Sequence, residues 1–125
     1  MSDSQKPEPP CFLLVTTCAD ADSAMQLARQ LIRTRQAACV NLLPGARSIY
    51  AWQGNIEETD EAVLLIKTSA TDPEAAIQAL AAVHPYEVPE VLCFPIEFGL
   101  AAYLEWVRAG TALEPVQPSS GTSKK

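Results

Sequence analysis

A chain of 125 residues with 48% apolar and 19% charged residues is sized for one domain and carries enough apolar content for a single core. Its net charge is −6 and its nine basic residues are scattered, so it lacks the clustered Lys/Arg face that a nucleic-acid partner requires. The early apolar run CFLLV from Cys11 is too short for a membrane span or a signal-peptide core and has no basic flank, so no membrane partner and a cytoplasmic location are expected.

Residues 1–10 and 111–125, rich in Pro, Ser and charge, read as disordered tails around a folded domain at 11–110. CFLLVTT reads as a strand running into the cap-type residues of CADAD. Ala24, Leu27, Ala28, Leu31 and Ile32 then recur at helical spacing, with Arg29, Arg33 and Arg35 toward the end that favours cations. ACVNLLPGARSIYAW and IEETDEAVLLIKT flank the turn QGN, the pattern of a hairpin, with a bulge at Pro44 and Gly45. Thr71 with Glu74 forms an expected capping box, and Ala76, Ile77, Leu80 and Val83 form a second helical stripe. That helix stops near Val83 because His84 precedes Pro85 and is pushed out of the α region. EVLCFPI is a last strand, and LAAYLEWV a terminal helix with Leu100, Tyr103, Leu104 and Val107 on one side.

The order β-α-β-β-α-β plus a C-terminal helix is that of an α+β, ferredoxin-like split βαβ sandwich. Right-handed crossovers place the end of the first strand, the end of the second helix and the start of the fourth strand on one rim. Thr16, Cys18, His84 and Glu90 are thereby gathered there, whereas Cys39 opens the second strand at the opposite end, beyond disulfide reach of Cys18. Four cysteines without a CxxC pair read as reduced thiols.

Hairpin arms of about a dozen residues, at about 3.3 Å each, overhang a domain of this size. Their edges, carrying Ile49, Tyr50 and Trp52, need a partner to avoid open pairing. A closed ring of identical subunits supplies one, with three copies if each hairpin extends its neighbour's sheet, and Tyr50 and Trp52 are assigned to subunit contact.

RQAACVNLLPGARSIYAWQGNIEE, LLIKT, HPYEVPE and YLEWV, in that order, resemble the CutA family of divalent-cation tolerance proteins. The resemblance implies a ferredoxin-like fold, a homotrimer similar in shape to the PII signal proteins, and a link to copper and other divalent ions, with no well-established enzymatic reaction. It also implies a metal site drawing on a first-strand cysteine and a histidine closing the second helix. His84 matches that histidine. Thr16 and Thr17 stand where the cysteine is often found, and Cys18, of the same strand parity as Thr16, is the substitute. Thiolate and imidazole suit Cu(I), while imidazole and carboxylate suit Cu(II), so Cys18, His84 and Glu90 form the candidate metal set, weak with three donors.

Bland readings stand beside these. The His84 ring would cap the second helix through its last carbonyls, Cys18 would be a half-buried thiol, and Glu90 would pair with a cation. Counting outward from Gly54 with the bulge ignored places Asn41 and Lys67 nearly opposite one another, a candidate anion or ligand-binding pair at a subunit cleft. The alternative is a lysine whose stem covers apolar neighbours. The acidic run Glu57–Glu61 reads as a solvated face. A single histidine gives little from which to build a nucleophile-and-base pair. The function expected is a trimeric, non-catalytic copper or divalent-cation binding protein, the alternative a PII-like small-molecule sensor or scaffold working through its subunit clefts.

Overall fold

The computed structural model describes residues 8–112. Its elements are β1 (Cys11–Cys18), α1 (Ala21–Arg33), β2 (Cys39–Trp52), β3 (Asn55–Ser69), α2 (Pro73–Val83), β4 (Val91–Pro95) and α3 (Ala101–Ala112). The strands form one sheet in the order β2-β3-β1-β4, every neighbouring pair antiparallel, which is the ferredoxin-like arrangement.

Strand alternation decides which face carries the core. Phe12, Leu14, Thr16 and Cys18 of β1 are buried, as are their β3 partners Thr68, Ile66, Leu64 and Ala62. Ala24, Leu27 and Leu31 of α1 and Ala76 and Leu80 of α2 pack on this face. Asp20 starts α1 by accepting a hydrogen bond from the Ser23 N–H at 2.7 Å. The expected cap of α2 is corrected: Asp72, not Thr71, accepts from the Ala75 N–H at 2.8 Å. Pro73 is the reason, because it fills the first helical position and makes the residue before it the cap. Glu74 accepts from Gln78 Nε2 one turn on, at 2.8 Å, instead of closing a capping box.

The hairpin turns through Gln53 and Gly54, both at positive φ (52° and 83°), the two-residue turn whose twist matches the strands it joins. The expected bulge lies between Leu43 and Ala46, with Gly45 at φ 82°. It moves the register by one residue, so that Lys67 faces Cys39 and Leu65 faces Asn41, and Asn41 and Lys67, expected nearly opposite one another when the bulge is ignored, stand two positions apart along the ladder. Beyond it, the ladder from Ala46↔Glu61 to Trp52↔Asn55 has no third strand among the described residues.

The opposite sheet face is only partly covered. Cross-strand partners set out one row of Phe94, Leu13, Lys67 and Cys39, a second of Leu92, Val15, Leu65 and Asn41, and a third of Thr17, Val63 and Leu43. Helix α3 lies over the end of this face where β1 begins: the Cys11 thiol approaches the Leu104 carbonyl at 3.7 Å, and Val107 is buried. Leu43, Leu92 and Phe94 remain about half exposed, at 46%, 48% and 49%.

The helix runs through Ala112, past the expected boundary at 110, and Thr111 Oγ1 donates to the Val107 and Arg108 carbonyls at 3.1 Å each. Leu100 departs from the expected stripe. It precedes the helix, accepts at its carbonyl from the Tyr103 and Leu104 N–H groups, and its side chain is exposed. Residues 8–10 are also part of the fold. The Pro10 carbonyl accepts from the Ala70 N–H, and the Pro9 carbonyl from Arg108 Nε. The remainder of the two expected tails lies outside the described residues.

Candidate functional site

The rim forms because β1 ends where α2 stops and β4 begins. Cys18 is the last residue of β1. Its parity directs it toward the core, where it is fully buried. His84 follows α2 with φ −71° and ψ 142°, the extended geometry that Pro85 imposes. Its imidazole is thereby thrown back over β1, and Cys18 Sγ lies 4.0 Å from His84 Nε2.

Both ring nitrogens are occupied. The Tyr86 N–H donates to Nδ1 at 3.0 Å, and Nε2 lies 2.9 Å from the Thr17 carbonyl oxygen. A carbonyl only accepts, so Nε2 carries the proton and Nδ1 is the bare nitrogen. The ring therefore ties the end of β1 to the HPY corner, and takes none of the α2 carbonyls that the capping alternative assigned to it. Its backbone N–H performs that cap, donating to Leu80 O at 3.1 Å.

The electrostatics keep these groups neutral. Burial lowers the His84 pKa, opposed in part by the hydrogen bond to Thr17. Burial raises the Cys18 thiol, and the carboxylates of Asp20 and Glu61 raise it further. A thiol held protonated is a poor metal ligand and a poor nucleophile.

Glu90 reaches the rim by its backbone. Thr16 Oγ1 donates to the Glu90 carbonyl at 2.6 Å, while the side chain is exposed. Among the described residues, no group of three or more His, Cys, Asp or Glu is placed to hold a metal ion. Cys18 and His84 come together as the topology requires, without a carboxylate completing the set within one chain.

The contacts of Tyr86 and Glu61 around the ring were not read from the sequence. Tyr86 stacks obliquely on His84, ring centroids 4.9 Å apart, and its hydroxyl donates to Glu61 Oε2 at 3.2 Å. Ser48 Oγ donates to the other Glu61 oxygen at 2.5 Å. Burial first, then the charge and hydrogen bond of Glu61, push the Tyr86 phenol up to about 12. The acidic run is thus only partly a solvated face: Glu61 is bound at the root of the hairpin, and Arg47 pairs with Glu58 at 3.4 Å and with Asp60 at 3.2 Å. The proximity of Tyr86 to His84 in HPY was the one available signal.

Across the sheet, Lys67 Nζ donates to Asn41 Oδ1 and lies 3.9 Å from Cys39 Sγ. Burial, with Cys39 as a neighbour, raises the Tyr103 phenol of α3. The bulge leaves Asn41 diagonal to Lys67, within reach of a long side chain. Tyr50 and Trp52 are exposed on the overhanging arm, at 44% and 60%.

Residues 12–110 match the family model described as CutA1 divalent ion tolerance protein. The divalent-cation tolerance protein CutA of Pectobacterium atrosepticum is 41% identical over 85% of this chain and 96% of its own length. Human Protein CutA is 45% identical over 76% of this chain, and there the match spans 53% of the human protein. The crystal structure of CutA from Xylella fastidiosa, 46% identical, superposes with a TM-score of 0.75 over 82% of this chain and 98% of that one. A structure from Archaeoglobus fulgidus, described as a periplasmic divalent cation tolerance protein CutA, is 29% identical with a TM-score of 0.73, over 81% of this chain and 98% of its own.

Proposed function

The chain belongs to the CutA1 divalent ion tolerance family, and from that premise we propose that it is a homotrimeric, non-catalytic protein of the cytoplasm that takes copper or a similar divalent ion weakly at the rim around His84. The observation that carries the metal reading is the approach of Cys18 Sγ to His84 Nε2, 4.0 Å apart and both buried, from residues 66 apart in the chain.

The weakness follows from what an ion would have to displace. Nε2 gives up its proton and the Thr17 carbonyl, and the Cys18 thiol must ionise against burial and two nearby carboxylates. Binding therefore releases protons and strengthens as pH rises. A third donor comes either from the exposed Glu90 side chain or from a neighbouring subunit. Self-association is supported by the half-exposed Leu43, Leu92 and Phe94 on the open sheet face and by the unpaired edges of the overhanging hairpin, where Tyr50 and Trp52 are the proposed subunit contacts. Four free thiols support a reducing compartment, and among the described residues no helix is long and apolar enough to cross a membrane.

Titration with Cu(II), Cu(I) and Zn(II), comparing wild type with Cys18→Ser and His84→Ala, tests the rim. Loss of binding in both variants is expected, and isotherms identical to wild type would remove the site. The second reading, a PII-like small-molecule sensor or signalling scaffold at the subunit clefts, is favoured by the Lys67–Asn41 contact beside Cys39 on the open face. A wild type that binds no metal, yet is thermally stabilised by an organic anion through Lys67, would select it.

A further inference from the structure

At the end of the sheet away from the rim, β2 and β3 set a thiol against an amine. Cys39 and Lys67 are direct partners in the ladder, and such partners project to the same face with Cβ atoms about 5 Å apart. Lys67 Nζ accordingly lies 3.9 Å from Cys39 Sγ while donating to Asn41 Oδ1. Lys67 is the one lysine among the described residues, so the fold brings its single lysine amine to a cysteine. From the other side, α3 supplies Tyr103, whose hydroxyl hydrogen-bonds with Cys39 and whose phenol is raised by burial and by that neighbour.

The sulfur is thus held between two polar groups, and its partner amine sits on a long, flexible stem that can close the remaining gap. Cys39 is 9% exposed, Lys67 half-buried and Asn41 exposed. The pair stands on the β2 side of a row that ends at Phe94 on β4, at the far edge of the sheet. The other thiols are less reactive: burial raises the pKa of Cys11, Cys18 and Cys93, and the thiolate is the form that oxidants attack.

We propose that Cys39 and Lys67 form a peroxide-driven covalent switch, a sulfur–nitrogen bond that joins β2 to β3. The Cys39 thiolate attacks hydrogen peroxide: an S–O bond forms, the O–O bond breaks, and the departing hydroxide takes up the thiol's proton as water. The product is a sulfenic acid. The neutral Lys67 amine then attacks this sulfur: an S–N bond forms, the S–O bond breaks, and the hydroxyl leaves as water with one amine proton. Sulfur has given two electrons to the peroxide, and the chain has lost two hydrogen atoms. A thiol reductant returns both and restores the two side chains. Because the ladder already holds the amine at the sulfur, capture is intramolecular and outpaces further oxidation. The link takes the Lys67 cation off the open face, and it requires neither a metal at the rim nor an assembled trimer.

The test treats the full chain with hydrogen peroxide, blocks remaining thiols with N-ethylmaleimide and maps the digest by mass spectrometry. The peptides carrying Cys39 and Lys67 are expected joined, two hydrogen atoms lighter than their sum, in most chains, and dithiothreitol is expected to separate them. Lys67→Arg keeps the charge without a deprotonatable amine. It is expected to lose the link and to carry about fivefold or more of its Cys39 on to sulfinic and sulfonic acid. Cys39 left unoxidised in wild type, Cys39 joined to another cysteine, or sulfenic Cys39 trapped by dimedone equally in wild type and Lys67→Arg would overturn the proposal. The map of wild type decides whether the link forms even where the variant fails to fold.

Discussion

Replacing His84 with alanine removes more than a candidate ligand. The imidazole is 8% exposed and makes two hydrogen bonds, to the Thr17 carbonyl at 2.9 Å and from the Tyr86 N–H at 3.0 Å. Each is worth about 1 kcal/mol net, and the hollow left by the buried ring adds about 1–2 kcal/mol. The expected loss is therefore about 3–4 kcal/mol, equivalent to roughly 12–32 °C in Tm for a folded unit of about a hundred residues. Thermal unfolding at one fixed protomer concentration measures it, since association makes Tm concentration-dependent. The pH response gives a second signature. Burial lowers the His84 pKa in the folded chain, so the unfolded state takes up the proton more readily. The stability tied to the neutral ring is complete above the unfolded histidine pKa of about 6.5 and declines as pH falls below it. His84→Ala loses this component of acid sensitivity. A loss below about 1 kcal/mol, with acid sensitivity unchanged, would refute the reading of His84 as a latch between β1 and the HPY corner.

Asp72→Ala is expected to cost about 1 kcal/mol while Thr71→Ala stays within about 0.5 kcal/mol, a contrast that urea denaturation resolves. Gly110→Ala places a Cβ 2.9 Å from Ala38 Cβ, so α3 must shift away from the segment that leads into β2, and a cost of about 1–3 kcal/mol is expected in the same assay. Gly45→Ala meets no atom within 4 Å, yet its φ of 82° makes it cost about 1–2 kcal/mol through the backbone alone. A neutral result there would argue against the left-handed bulge.

The legible parts of this fold are those set by strong local physics. Pro85 fixed the stop of α2 at Val83, Gly54 fixed the hairpin turn, and the parity of β1 brought Cys18 toward the ring of His84. Such features depend on one residue's own restrictions or on a two-residue period. The Thr71 cap failed because two capping residues precede Pro73, and only the proline's exact place decides between them. The near-opposition of Asn41 and Lys67 was displaced by one residue because a bulge moves the register, and the two side chains meet diagonally. Glu90 reached the rim with its carbonyl because strand topology positions backbones and leaves the exposed carboxylate undirected. Glu61 was hidden in an acidic run of uniform composition. Its partner Tyr86 is 25 residues away, and only the folded chain brings the two together.

The central claim is that the open sheet face is an interface between copies of this chain. Light scattering on the purified protein at micromolar concentration tests it directly. The wild type is expected at about three times the 13.5 kDa protomer mass, and Leu92→Asp with Phe94→Asp, two charges set on the uncovered face, is expected to reduce it to the protomer. A wild type of 13.5 kDa, or a double variant that keeps the full assembled mass, would contradict the account.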